Sequence, residues 1–233
     1  MEDYNFVCIS EIDKHSSVYT FKKDQIVEKD NKIKVKVQDL EEGDKFTFTY
    51  NKKNKTLVAK VKFFSKYEPT CFTGNCRIKI NSNTYKNVNE LQVGDMIETP
   101  NGFDKIKCIL QTEVDNVIDI YINNGLEITG YHPVKENNKW EFPLNLEKFK
   151  KINKSVEYVY SIGLEKEKSF IIGENEIIGL GHNISDNSIL KHDYFGTDKV
   201  INEIFKISSS GYATINMLTI KRDKNTNLVV SII

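Results

Sequence analysis

A cysteine followed downstream by a T-x-x-H is the arrangement in this chain best suited to chemistry. Cys71 heads the run Cys71-Phe72-Thr73-Gly74-Asn75-Cys76-Arg77-Ile78, which reads as a turn feeding a β-strand, and Thr129-Gly130-Tyr131-His132 lies further along. The carbonyl nearest the Cys71 thiol is that of Thr70, because the covalent chain itself holds the two together. Resonance keeps a peptide bond planar behind a rotation barrier of ~18–20 kcal/mol, so turning it into a thioester is uphill in an unstrained chain. Three kinds of help are available. A histidine can protonate the departing amide nitrogen near neutral pH. Hydrogen-bond donors can meet the carbonyl oxygen as charge grows on it. Twisting of the bond raises the ground state. His132 is the candidate proton donor to the Cys71 nitrogen, and Thr129 the candidate to orient that amide or supply a hydrogen bond. Pro69 fixes a torsion just upstream. An ordinary thiol, with a pKa near ~8.5, is a few per cent thiolate at neutral pH, which is adequate for one slow turnover. The expected substrate is the chain's own Thr70–Cys71 bond.

A second constellation is Gly181-His182-Asn183. A histidine before an asparagine can promote attack of the Asn183 side-chain amide on its own carbonyl, cutting the chain after it. The competing reading is a β-turn, since Gly-x-Asn is turn chemistry. Ile184 follows and carries no nucleophile, so no splicing transesterification is expected there. His15 and His192 read as structural or exposed.

The 233 residues suffice for one or two domains with a buried core. Lys and Arg number 33 against 33 Asp and Glu, so charge points to neither nucleic acid nor an anionic membrane. No apolar run reaches the ~18 residues of a spanning helix, and Met1-Glu2-Asp3 begins no signal peptide, which makes the cytoplasm the expected location. Four cysteines are too sparse for a disulfide scaffold, and none are spaced to bind zinc. No metal or organic cofactor is expected. Cys8 and Cys108 read as buried small hydrophobes.

The elements that must position these residues read mostly as short strands. Val117 to Ile122 alternates, with Ile118, Ile120 and Ile122 on one face. Asn101-Gly102 is a hairpin signal between Met96–Pro100 and Phe103–Leu110, and Asn123-Asn124-Gly125 is a second turn. Val156 to Leu164 and Phe170 to Leu180 continue the pattern, the latter broken near Gly173-Glu174-Asn175. One helix is expected near the C-terminus, capped by Thr197, with Asp198 in its first turn. Its apolar face is Val200, Ile201, Ile204 and Phe205, and the serines before Gly211 end it. Strands Tyr212–Ile220 and Leu228–Ile232 follow, joined by the polar stretch Lys221–Asn227. A local echo, V-x-D/E-L-x-x-G-D, occurs at Val37–Asp44 and Val88–Asp95, each read as a tight Gly-Asp turn starting a hairpin. The β-like segments Ala59–Phe64 and Asp104–Ile109 come after the two copies. The first copy has no matching cysteine or T-x-x-H, so residues 1–70 read as a separate small β-unit.

Four motifs in order resemble the Hint superfamily of Hedgehog and intein autoprocessing domains: Cys71-Phe72-Thr73-Gly74, Val88-x-Glu90-Leu91-x-x-Gly94-Asp95, Thr129-x-x-His132-Pro133-Val134 and Trp140-x-Phe142-Pro143. Leu180-Gly181-His182-Asn183, His192-Asp193-Tyr194-Phe195-Gly196-Thr197 and Arg222-Asp223-x-x-Thr226 are similar to the Vint branch, whose Hint domains accompany von Willebrand factor A domains. The resemblance covers 71–233. It implies an all-β, horseshoe-like fold with pseudo-twofold symmetry, with a C-terminal helix-strand extension. It implies an N-to-S acyl shift at Cys71, with site roles for Thr129, His132 and, less directly, His182. It also implies a wider protein context that includes a von Willebrand factor A domain. The departures are Val159-Tyr160-Ser161, where inteins usually read V-Y-D, and Lys168-Ser169-Phe170, where H-N-F often stands. Both argue against full splicing, and the missing aspartate argues against Hedgehog-type activation of a sterol hydroxyl.

The sequence therefore predicts three parts: an upstream β-unit over 1–70, a Hint core over 71–183 and a Vint-like extension over 184–233. It predicts a single-turnover cis autoprocessing domain. The partner in that reaction is its own upstream segment, and water or a small nucleophile resolves the thioester. A Hint fold kept as a dormant structural or interaction module is the alternative. A trans-acting cysteine hydrolase built on Cys71 and His132 ranks third, because nothing in the sequence suggests a pocket for an outside substrate.

Overall fold

The structure is a computed structural model that describes residues 5–12, 15–22, 25–29, 32–36, 45–50, 53–58, 62–63, 71–223 and 228–233. The chain divides into two compact units, Met1–Tyr67 and Glu68–Ile233. The first holds β1 (Asn5–Ile12), β2 (His15–Lys22), β3 (Ile26–Lys29), β4 (Lys34–Lys36), β5 (Lys45–Tyr50), β6 (Lys53–Val58) and β7 (Lys62–Phe63). They form two antiparallel sheets, in the orders β2-β1-β7 and β4-β3-β5-β6. Alternation in Lys-Phe-Thr-Phe-Thr-Tyr turns Phe46 inward, and it is buried with Val27. The first V-x-D/E-L-x-x-G-D copy lies outside the described residues.

The second unit begins with β8 (Phe72–Thr73), β9 (Arg77–Asn81), β10 (Thr84–Asn87) and β11 (Met96–Thr99). Then come β12 (Gly102–Asn123), β13 (Leu126–Ile128), β14 (Val134–Glu136), β15 (Lys139–Glu141), β16 (Lys150–Leu164), β17 (Ser169–Ile172) and β18 (Asn175–Ile178). It ends with α1 (Asp198–Ile207), β19 (Tyr212–Asn216), β20 (Lys221–Arg222) and β21 (Val229–Ser231). The architecture is all-β with a single α-helix among the described residues, the class that the sequence predicts.

The main sheet runs β11-β12-β13-β8-β16, with β12 also pairing β16, and β19 joining β12 in parallel. The segments expected as separate strands, Phe103–Leu110 and Val117–Ile122, are parts of β12, which is 22 residues long. Its ladder with β16 shifts register at Ile106/Cys108 and at Glu113/Asn116. Such bulges let one strand bend rather than stop, which local alternation cannot reveal. The hairpin at Asn101-Gly102 sits one residue earlier than expected, with Thr99 pairing Gly102 across Pro100-Asn101. Proline has no N–H to give the ladder, so it takes the corner. The turn into β13 uses Asn124 and Gly125, both at positive φ (45° and 80°), the backbone of a two-residue hairpin turn.

Among the described residues, two large apolar clusters and a smaller one around Cys71 fill this unit. The first large cluster gathers Phe72, Ile78, Ile97, Ile128, Phe170 and Ile177 with their neighbours. The second joins Cys108, Leu110 and Leu180 to Tyr194, Val200, Ile204 and Ile215. Thr197 caps α1, its hydroxyl accepting the Lys199 N–H at 3.4 Å. Phe205, expected on the buried face, is 39% exposed at the rim, beside Gly211. The strand expected over Tyr212–Ile220 breaks into a 3-10 turn at Met217–Thr219, where the Thr219 hydroxyl donates to the Asn216 carbonyl at 2.8 Å. Residues 224–227 of the polar connection lie outside the described residues.

Candidate active site

Hairpin chemistry places the T-x-x-H. The Asn124-Gly125 turn returns the chain as β13, and Ile128 pairs Phe72 of β8. Thr129 then clamps the residue before Phe72. Its N–H donates to the Cys71 carbonyl at 2.9 Å, and its Oγ1 accepts the Cys71 N–H at 3.2 Å. The His132 N–H closes a turn on the Thr129 carbonyl at 3.2 Å. Gly130 leaves room in that turn for the Tyr121 ring, which a Cβ there would meet at 2.7 Å and displace. The Trp140-x-Phe142-Pro143 motif supports the turn from outside. Phe142 meets Tyr131 edge-on at 5.5 Å, and the Leu144 N–H donates to the Gly130 carbonyl at 3.3 Å.

The His132 ring lies 5.7 Å from the Phe72 ring, centroid to centroid, next in sequence to the cysteine. His132 Nε2 is 2.9 Å from the Ile178 carbonyl oxygen. A carbonyl only accepts, so Nε2 carries a proton and Nδ1, itself buried, is the nitrogen that gains or loses one. Cys71 and Thr129 are each 1% exposed, and His132 and Ser161 each 2%. The structure thus joins Cys71 directly to Thr129 and sets His132 in the turn that Thr129 begins, beside Phe72. Thr70 lies outside the described residues.

Two features of the site were not legible in the sequence. Ser161, read there only as a missing aspartate, donates its hydroxyl to Cys71 Sγ at 3.4 Å. The sulfur's apolar surroundings are Val114 of β12 and Val159 of β16, with Ile118, Val156 and Met217 packed around them. Met217 comes from the C-terminal extension. No local pattern marks it, because it reaches the site only through the parallel pairing of β19 with β12.

Cys76 is a different kind of thiol. It accepts the Glu127 N–H at 3.2 Å and donates to the Glu127 carbonyl at 3.4 Å, stapling the Cys71–Cys76 turn to β13. Burial pushes it up to about 11, so it stays protonated at neutral pH. Burial likewise pushes Cys108 up to about 12. Among the described residues, no three His, Cys, Asp or Glu side chains form a metal-binding group. None of the described helices is long and apolar enough to cross a membrane.

His182 and Asn183 occupy a separate tight turn. Gly181 and Asn183 both have positive φ (65° and 54°). His182 Nδ1 accepts the Ile184 N–H at 3.0 Å. Burial, with Lys168 and His192 nearby, lowers His182 to about 4, so the ring is neutral at pH 7. The Asn183 side-chain amide donates to the Gly181 carbonyl at 3.1 Å and to Asp198 at 3.2 Å, which ties its nitrogen into the turn and the start of α1.

Comparison with known proteins follows the same lines. The profile of Vint, a Hint-domain family, matches residues 70–231. The gp41-1 intein crystal structure is similar at 10% identity and a TM-score of 0.41, over 48% of this chain and 100% of the intein. A triply substituted form of that intein is similar at 8% identity and a TM-score of 0.40, over 47% and 99%. No curated protein sequence matches.

Proposed function

Because the chain belongs to the Vint family of Hint domains, the fold of an autoprocessing-type domain, we propose that it cuts its own backbone between Thr70 and Cys71. The thiol gives its proton to solvent and Sγ bonds to the Thr70 carbonyl carbon. The Cys71 nitrogen takes a proton from His132, the C–N bond breaks, and a Thr70 thioester and a Cys71 α-amine result. His132 recovers its proton from solvent. Water or a small nucleophile then attacks the thioester, leaving a Thr70 carboxylate or adduct and restoring the Cys71 thiol. The reaction needs no cofactor.

The observation that carries this reading is the two-point clamp between Thr129 and Cys71, with the His132 ring beside Phe72. An amide nitrogen becomes basic only as its lone pair leaves conjugation with the carbonyl. Fixing the N–H on Thr129 Oγ1 holds that nitrogen in one orientation for a proton arriving from the side. His132 Nδ1 is the nitrogen suited to deliver it. Near-complete burial of the sulfur favours a substrate already attached to the chain over an external one, which tells against a trans-acting hydrolase. Ser161, Lys168 and Ile184 stand where splicing residues would be needed. The bonds that hold the Asn183 amide make it a turn residue in this scheme rather than a second scissile site.

The test is a time course of intact mass and SDS gels for wild type and Cys71→Ala, each with and without dithiothreitol. Wild type yields fragments split before Cys71, and faster with the thiol; Cys71→Ala stays whole. Identical patterns for the two proteins would remove Cys71 as nucleophile, and a wild type that stays whole with thiol for days would favour the dormant-module reading.

A further inference from the structure

Ser161 lies on β16 in a register that carries it opposite Cys71, since Val159 pairs Thr73 and Tyr160 pairs Phe72. Its hydroxyl points at the sulfur from 3.4 Å and donates to it. Both groups are buried, and Cys71 clusters with the apolar side chains of Val114 and Val159. In such a desolvated setting a hydrogen bond is stronger than in water. A neutral thiol is a weak acceptor, whereas a thiolate makes a charge-assisted bond about twice as strong as a neutral one. The contact therefore favours the reactive form of the sulfur over its resting form, which is the condition for an interaction to accelerate a step.

We propose that Ser161 is a positioning residue for Cys71, whose hydroxyl aims the sulfur and stabilises the thiolate in which it attacks. No proton leaves Ser161; it contributes a hydrogen bond only. An aspartate here would set a second negative charge against the thiolate and oppose its formation, a repulsion that serine avoids. Among the described residues, Cys71 clusters with Val114 of β12 and Val159 of β16, and Ile118, Val156 and Met217 pack against them. Glu113, next to Val114, is exposed and accepts from Asn216. The titratable group of the proposed mechanism is His132, in the turn held by Thr129. A protonated His132 acts in the same direction as Ser161, so the test must separate the two. The role in self-cleavage rests on the proposed function; the effect on the sulfur does not.

The experiment pulses the full chain with iodoacetamide across pH 6–10, quenches it, and measures label on Cys71 in the uncleaved tryptic peptide Tyr67–Arg77. It compares wild type, Ser161→Ala, Ser161→Thr and Ser161→Asp, each also with His132→Gln, and follows dithiothreitol-induced cleavage in parallel. Ser161→Ala should raise the pH midpoint of Cys71 alkylation by about one unit and slow cleavage about tenfold at pH 7. Ser161→Thr should restore both, Ser161→Asp should move the midpoint higher still, and the order should persist without His132. An unchanged midpoint in folded Ser161→Ala overturns the proposal. So does a midpoint for Ser161→Asp no higher than for Ser161→Thr, the comparison that decides if the alanine variant does not fold. A shifted midpoint in a chain that never cleaves upholds Ser161 and defeats the self-cleavage reading. Normal cleavage with an unshifted midpoint does the reverse.

Discussion

Cys71 and Thr129 exchange two hydrogen bonds, one through the backbone and one through a side chain, and the side-chain bond holds the nitrogen of the proposed scissile bond. Thr129→Ala leaves the buried Cys71 N–H without that acceptor. It should cost about 1–3 kcal/mol in a thermal or urea melt and slow cleavage. Thr129→Ser, which keeps the hydroxyl, should recover most of both. His132→Ala removes the proton donor and should slow cleavage by about 10²–10⁴-fold in a gel time course, with folding intact by circular dichroism. The other buried thiols provide an internal contrast. Cys76 and Cys108 are pushed up to about 11 and about 12 by burial, and Cys71, equally buried, differs in having the Ser161 hydroxyl donated to its sulfur, so iodoacetamide at pH 8 should label Cys71 ahead of either. Label appearing first on Cys76 would reassign the reactive sulfur.

At the scale of elements, the site is a junction of strands far apart in sequence. β8 is only two residues long, yet it lies between β13 and β16, so both neighbours bring a functional side chain to Cys71. The third contribution comes from the C-terminal extension. β19 runs parallel to β12, a pairing that needs a crossover, and α1, packed on both strands, lies in that crossover. Hydrogen bonds from Thr214 to Gln111 and from Asn216 to Glu113, each 2.9 Å, hold β19 in register. Met217 follows at once and packs on the cluster around the sulfur. Met217→Ala should therefore expose Cys71: its alkylation at pH 8 should quicken severalfold, while Met96→Ala, at an exposed site, should leave it unchanged. Equal rates in both variants would mean that the extension does not cover the sulfur.

For the whole molecule, acid is the condition its buried groups tolerate least. His182 and His192 are both lowered to about 4, chiefly by burial. In the unfolded chain they take up protons near their ordinary value of ~6.5, while the folded chain resists until about pH 4. Stability from this source is full above about pH 6.5 and is lost progressively as pH falls toward 4. The carboxyls of Asp104 and Glu203 are held below their usual range by hydrogen bonds that outweigh burial, and they add a loss of the same sign at lower pH. Urea melts at pH 7 and pH 5 should differ by about 1–2 kcal/mol per histidine. His192→Gln should flatten that dependence even where it lowers stability overall. A slope unchanged in the variant would place the acid sensitivity elsewhere.

The sequence by itself determined the reacting residue types, the turns and the family. Thiol and imidazole are covalent facts, and Asn124-Gly125 and Thr197-Asp198 act through conformations confined to a few neighbouring residues. The all-β class followed from frequent turns and alternation, for the same local reason. What only the tertiary structure decided depends on register between distant strands. Ser161 faces the sulfur because β16 pairs β8 in one alignment; a slip of one residue would point it to the opposite face. β12 is one bent strand because bulges opposite β16 let it continue, and Met217 reaches the site because α1 returns the chain parallel to β12. Pairing of that kind is set by the packing of the two apolar clusters as a whole, and no short stretch of sequence carries it.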